Sequence, residues 1–181
     1  YLLSAREFGG SDTWATAYII AAGMKKIGFD LVITGRQAID GDTAQVGPQV
    51  AQQLKIPQIS YAGELHVAGE YIIVKQHFED RYHVIKSKMP CLITALGEFV
   101  QPRYMNVGGI VDAYEKEVNV LGFKDIKDLL NPEFIGLKGS PTNVVTSFTK
   151  QAKGQGTKLN DLTSDEAVDT ITAKLDEINV I

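Results

Sequence analysis

The chain has 181 residues, 18 basic and 22 acidic side chains for a formal charge of −4, and a hydrophobic fraction of 44%, enough apolar material for a globular core. With no Lys/Arg cluster interleaved with aromatics it lacks the footprint of a nucleic-acid binder. No run approaches the ~18 apolar residues of a membrane span, and the opening "YLLSAREFGG" has neither an initiator Met nor the basic-then-apolar order of a signal peptide, so a cytoplasmic setting is expected. Cys91 is the single cysteine, which excludes an intrachain disulfide, and its neighbours Met89, Pro90, Leu92 and Ile93 mark a buried structural thiol.

In chain order, Ser11 to Gly28 carries apolar residues three and four apart, with Ser11 or Asp12 as N-cap and Gly28 as stop, and is expected to be a helix. "DLVITG" is apolar on both faces, as a buried parallel strand is. Thr34 to Val46 then forms a loop. "GPQVAQQLK" opens the next helix near Gln45 to Gly47, because Pro48 fits only a first helical turn. After Pro57 the period changes to two: "ISYAGELHVAG" and "EYIIVKQHFED" alternate around Gly69, "RYHVIKSK" follows, and a meander of antiparallel strands is expected. "CLITAL" returns as a buried strand.

From Gln101 the character shifts. "QPRYMNVGGIVDAYEKEV" holds a short helical pattern beside Gly108-Gly109, and the long stretch from Asn131 to Leu159 is punctuated by Gly and Pro. Its apolar residues Phe134, Ile135, Leu137, Val144, Val145 and Phe148 are too many for a solvated linker, which favours an arm draped over a partner. Thr163 to Ile178, with Ala167, Ile171, Leu175 and Ile178 on one face, is an amphipathic helix. The order helix, strand, helix, antiparallel excursion, strand argues a twisted α/β sheet. The composition groups residues 1–100 as an α/β domain and residues 101–181 as loop and arm.

Chemistry is expected at the loop. Ligands of open α/β sheets sit outside the carboxyl ends of the strands, and Leu31 to Thr34 runs directly into it. The helix that follows offers free N–H groups and a positive dipole end, suited to a phosphate. Gly35 and Gly41 let a backbone approach an anion, Thr43 brings a hydroxyl and Gln45 two amide donors, while Asp40 and Asp42 suit backbone capping or a ribose hydroxyl. A plain strand-to-helix connection accounts for the same residues equally well, and no GxGxxG or P-loop is present. His66, His77 and His83 lack metal-ligand spacing and are expected on strand surfaces. Trp14 falls on the apolar stripe of its helix, as core or interface. No GxSxG elbow supports hydrolase chemistry.

The whole pattern resembles the β subunit of electron transfer flavoproteins. Gly35, Gln37, Ala38, Asp40, Asp42, Gln45 and Gly47 reproduce that family's "GxQAxDxDxxQxG" signature, "GGSDTWATAYIIAAGMKKIG" is similar to its "G-A-D-T-x-A-T-S" helix start, and "PRYMNVGGIVDAYEKEV" and "GLKGSPTNVV" are similar to its recognition loop and C-terminal arm. The resemblance implies a Rossmann-like, mainly parallel sheet with helices on both faces, an antiparallel extension and a long C-terminal arm contacting an α subunit. Nothing here matches the family's first strand with its "KQVPD" loop, so the chain is expected to begin inside the nucleotide-binding domain, with the N-terminal strands absent.

The resemblance further implies that the cofactor, not a side chain, carries the redox chemistry, with no catalytic and no metal-ligating residues. It assigns cofactor binding to Asp12, Thr13 and Thr16 at the helix start and to Thr34, Gly35, Arg36, Gln37, Ala38, Asp40, Gly41, Asp42, Thr43, Ala44, Gln45 and Val46 in the loop. Ordinary members hold AMP behind an Asp-Asp-Asp run. "DGDTAQVGP" is more similar to the electron-bifurcating members, which hold FAD, and Gly41 in place of the middle Asp leaves room for the larger anion. The implied partners are the α subunit, an acyl-CoA or similar dehydrogenase, and NADH. Partner recognition falls on Tyr104, Met105, Val107 and Ile110, although the family commonly has Leu at the position of Val107 and Pro-Asn at Gly108-Gly109. A stand-alone adenine-nucleotide sensor of related fold is the reading from a different class.

Overall fold

The first long helix begins where Asp12, in extended backbone, turns its carboxylate back to accept the amide of Ala15, a side-chain cap that satisfies one of the free N–H groups of a helix start. In the computed structural model, which describes residues 1–149, 154, 156 and 158–180, this helix is α1, Thr13–Ile27, preceded by the short strand β1, Leu2–Leu3. Gly28 ends it at a φ of 82°, and its amide donates to the carbonyl of Met24. The chain divides into two units, Tyr1–Asn143 and Val144–Ile181.

The first unit is built on a mixed sheet. β2, Leu31–Gly35, lies parallel to β6, Cys91–Ala95, in continuous register from Leu31 opposite Cys91 to Gly35 opposite Ala95. On its other side β6 takes β3, Gln58–Ala68, also parallel, and β3 continues into the antiparallel hairpin with β4, Tyr71–His77, followed by β5, Tyr82–Lys88. The order is β2-β6-β3-β4-β5. The antiparallel extension is therefore not a separate excursion: the 11 residues of β3 serve the parallel layer at Gln58 and Ile59 and the hairpin from Ala62 onward. Register irregularities on either side of Ala62 mark the change.

The helix α2, Val46–Leu54, carries Pro48 in its first turn, where the missing N–H costs nothing. Ala17 of α1 and Val50 and Ala51 of α2 close over Val32 and Leu92, so both helices share one face of the sheet. Alternation along the strands sends Cys91 and Ile93 to the opposite face, where they join Ile59, Ala62, Ile72 and Val74, with Leu65, Ile85, Met89 and Phe99 packed around them. Burial pushes the Cys91 thiol pKa up, which leaves it a structural, unreactive group.

A third cluster changes the reading of the arm. After α3, Val107–Tyr114, and β7, Val120–Leu121, which pairs with β1, the chain forms α4, Phe123–Ile126. Ile126, Leu130 and Ile135 then bury against Ile19 and Ala22 of α1. Each such side chain contributes ~1.5–3 kcal/mol on burial, which offsets the ~1–2 kcal/mol needed to fix a residue's backbone. Phe134 stands edge-on to Trp14, whose ring stacks on Tyr18 at 5.7 Å, so the Trp belongs to a half-buried aromatic cluster within this chain. Ile135, placed on the arm by the sequence, is thus buried within the chain, while Phe134 touches the Trp14 and Tyr18 rings and stays 45% exposed. The short α5, Gly136–Gly139, follows.

In the second unit, Val144, Val145 and Phe148 are exposed. Part of the Gly-rich stretch read as arm, residues 150–153, 155 and 157, lies outside the described residues. The helix α6, Ser164–Glu177, starts with a reciprocal cap in which the Thr163 amide donates to Glu166 and the Glu166 amide to the Thr163 hydroxyl. Val168 and Ile171 of its apolar face are exposed. No helix among the described residues is long and apolar enough to cross a membrane.

Candidate functional site

The loop between β2 and α2 closes a hollow of about 450 Å³ against the start of α1. Thr13, Thr34, Gly35, Arg36, Gln37, Ala38, Asp40, Gly41, Asp42, Thr43, Ala44, Gln45 and Val46 line it, together with Gly47. Ile39 points away and is 98% exposed. Gly47 is required by packing: a Cβ there would stand 2.7 Å from Oγ1 of Thr34 and 2.8 Å from Cγ2 of Thr94, so only glycine lets the start of α2 rest on the strand ends. Gly41, by contrast, has nothing within 4 Å of an added Cβ.

The loop backbone is unusual: Asp42 and Ala44 both adopt a φ of 52°, a left-handed conformation that non-glycine residues seldom take. Side chains brace it. Nε of Arg36 donates to Oε1 of Gln37 at 2.9 Å, the Gln37 amide donates to Asp42, and the Thr13 hydroxyl donates to Oε1 of Gln45 at 3.0 Å. Asp42 is thus occupied as an acceptor inside the loop, which answers why a carboxylate stands beside an anion-suited helix end.

Two of the residues assigned to cofactor binding do not line this hollow. Asp12 spends one carboxylate oxygen on the Ala15 amide and the other on the Thr142 amide at 3.0 Å, tying the helix start to residues 140–142. Burial pushes its pKa up, but the donors from Ala15, Thr142 and Trp14 outweigh burial and hold the carboxyl below its ordinary value. Thr16 donates its hydroxyl to the carbonyl of Ser11 at 3.5 Å. Ser140, which the sequence reading passed over, is buried and accepts the Asp12 amide at 2.8 Å while donating to the Gly136 carbonyl at 2.7 Å. A lone Ser in a Gly/Pro-rich stretch carries no local signal of such a role.

Two further hollows adjoin. One, lined by Ile33, Thr34, Gly35, Arg36, Gln37, Ala95, Leu96 and Gly97, lies across the ends of β2 and β6. The other, of about 550 Å³, is bounded by Arg36, Tyr61, Leu96 and the turn from His77 to Arg81. Arg36 borders all three. The recognition candidates sit apart: Asn106 caps α3 by accepting the Gly109 amide, no residue of α3 is buried, and Tyr104, Met105, Val107, Val111 and Tyr114 are exposed. Val107 is therefore not a core residue beneath the helix.

Residues 1–125 match the family model described as the electron transfer flavoprotein domain. The chain belongs to the electron transfer flavoprotein family, as a β subunit. It is 48% identical over 182 residues to the "Caffeyl-CoA reductase-Etf complex subunit CarD" of Acetobacterium woodii, covering 100% of this chain and 69% of that relative. It is 48% identical to the "Acryloyl-CoA reductase electron transfer subunit gamma" of Anaerotignum propionicum, over 99% of this chain and 69% of the relative. To the "Electron transfer flavoprotein subunit beta" of Clostridium acetobutylicum it is 47% identical, over 99% and 68%. As an electron transfer flavoprotein β subunit its function lies in electron transfer.

Proposed function

We propose that this β subunit binds FAD at the β2–α2 loop and passes electrons between NADH or a dehydrogenase and flavin redox partners by flavin-based electron bifurcation, in the cytoplasm and together with an α subunit. The observation that carries the reading is Gly41: it sits between Asp40 and Asp42 with open space around it, in a hollow lined by left-handed loop backbone and the start of α2. A carboxylate at that position would bring a third negative charge to the edge of the anion site. Two of its relatives, named for caffeyl-CoA and acryloyl-CoA reductases, support a CoA-ester reductase or dehydrogenase as partner.

When bound, FAD supplies the electron chemistry. The chain's residues would hold it: the Thr43 hydroxyl, the Gln45 amide and the loop amides would supply donors to its phosphates, with Gln45 held by Thr13, and Arg36 would supply positive charge at the edge of the hollow. Thr34, Gly35, Gln37, Ala38, Ala44 and Val46 shape its walls. Asp12 and Thr16 support the site through the start of α1. Tyr104, Met105, Val107 and Ile110 form an apolar knob for the partner dehydrogenase. The test is the cofactor content of the heterodimer, by visible absorption and by chromatography of the released nucleotides. Two FAD per heterodimer is the expected result; one FAD with one AMP would overturn it.

A further inference from the structure

The residues that lead into α1 and those of and after α5 are held to each other by hydrogen bonds running in both directions. The Gly136 amide donates to the Ser11 hydroxyl oxygen at 3.0 Å, and the Leu137 amide donates to the Gly9 carbonyl at 3.2 Å. In return the Asp12 amide donates to the hydroxyl oxygen of Ser140 at 2.8 Å, and that hydroxyl gives its own proton to the Gly136 carbonyl at 2.7 Å. The fit is close. Gly136 takes a φ of 65°, and a Cβ on it would stand 2.5 Å from the carbonyl oxygen of Glu7, so only glycine lets the two stretches of backbone approach this far.

This clasp ends one residue short of the loop hollow. Asp12 is fixed at its amide by Ser140, at one carboxylate oxygen by Thr142 and at the other by Ala15. The next residue, Thr13, lines the hollow and donates to Oε1 of Gln45. That bond is exposed, and an exposed bond between two side chains contributes too little to hold the start of a helix in place by itself. Ser140 is buried, so its two bonds are costly to break and form the firmer constraint. We propose that Ser140, which does not line the hollow, is a positioning residue for it: through Asp12 it sets where Thr13 stands, and so how Gln45 presents its N–H donors to the phosphates of a nucleotide. This proposal rests on the reading of the loop as a nucleotide site.

The test is a double-mutant cycle in the full heterodimer, with FAD titrated into protein stripped of flavin and the thermal midpoint recorded beside it. Ser140→Ala, Thr13→Val and the double variant are compared on the binding step that Thr13→Val weakens. Ser140→Ala is expected to weaken FAD about fivefold, as Thr13→Val does. Because both act through Gln45, the double variant is expected to remain about fivefold weaker than wild type rather than about 25-fold. A structural role alone would lower the thermal midpoint and leave this affinity unmoved. Wild-type affinity in Ser140→Ala would overturn the proposal, and so would the full product of the two losses in the double variant, which would mean that Ser140 acts by a route other than Thr13. If Ser140→Ala does not assemble, Ser11→Ala, which removes the acceptor of the Gly136 amide on the facing side of the clasp, replaces it in the cycle and is read against the same outcomes. A Thr13→Val heterodimer that binds FAD at no step more weakly than wild type would overturn the loop reading itself, and this proposal with it.

Discussion

The hydroxyl of Thr13 donates to Oε1 of Gln45 at 3.0 Å, joining the first residue of α1 to the residue before α2 across 32 positions of sequence. With its oxygen engaged, the Gln45 amide group is oriented with its two N–H donors free for a ligand. Replacing Thr13 by Val keeps the shape and removes the hydroxyl. Because the bond is exposed, stability should fall by less than ~1 kcal/mol, whereas FAD should bind about fivefold more weakly as Gln45 loses its orientation. Calorimetric titration beside thermal unfolding separates the two; equal FAD affinity in the variant would show that Gln45 does not reach the ligand.

Asp12 accepts from Ala15 and Thr142 at once, so Asp12→Ala removes both a helix cap and a tether. The expected loss is ~0.5–2 kcal/mol at neutral pH. Its carboxyl sits below the ordinary 3.8 in the folded chain, so this stabilisation is full above that value and is lost as pH falls through the folded pKa. Urea unfolding at pH 7 and pH 3 should therefore show the gap between wild type and variant shrinking on acidification. A gap that stays constant would mean the charge contributes nothing.

Gly41→Asp introduces a carboxylate where there is open space, so the fold should tolerate it. FAD affinity should drop by ~1–3 kcal/mol, since the new charge faces the phosphates in a partly desolvated hollow. Unaltered FAD binding in the heterodimer would remove the loop from the phosphate site.

Val107 is 80% exposed on the first turn of α3. Val107→Asp should change stability by no more than ~0.5 kcal/mol and leave flavin content intact. Electron delivery to the partner dehydrogenase should slow, because an apolar anchor becomes a desolvation cost. A normal rate in a stopped-flow assay with that dehydrogenase would place the contact elsewhere.

What the sequence determined by itself were the features written in short-range patterns. The 3.6-residue spacing between Ser11 and Gly28, the N-cap at Ser11 or Asp12, Pro48 in a first turn and the two-residue period after Pro57 each act within a few residues of chain, and the elements stand where these signals put them. The apolar run "DLVITG" likewise placed the loop at the end of a strand. Tertiary structure alone decided what depends on distant partners. Ile126, Leu130 and Ile135 look like punctuated coil until α1 offers Ile19 and Ala22 to bury against, so the packed layer runs past the composition change near residue 100. β3 reads as a hairpin strand, and only its pairing with β6 shows that it belongs to the parallel layer too. Ser140 beside Asp12, and Tyr61 beside Arg36, are meetings across 128 and 25 residues that no local period encodes. Burial and ring placement are properties of the assembled sheet, since a side chain's neighbours there are set by strand register rather than by the residues next to it in the chain.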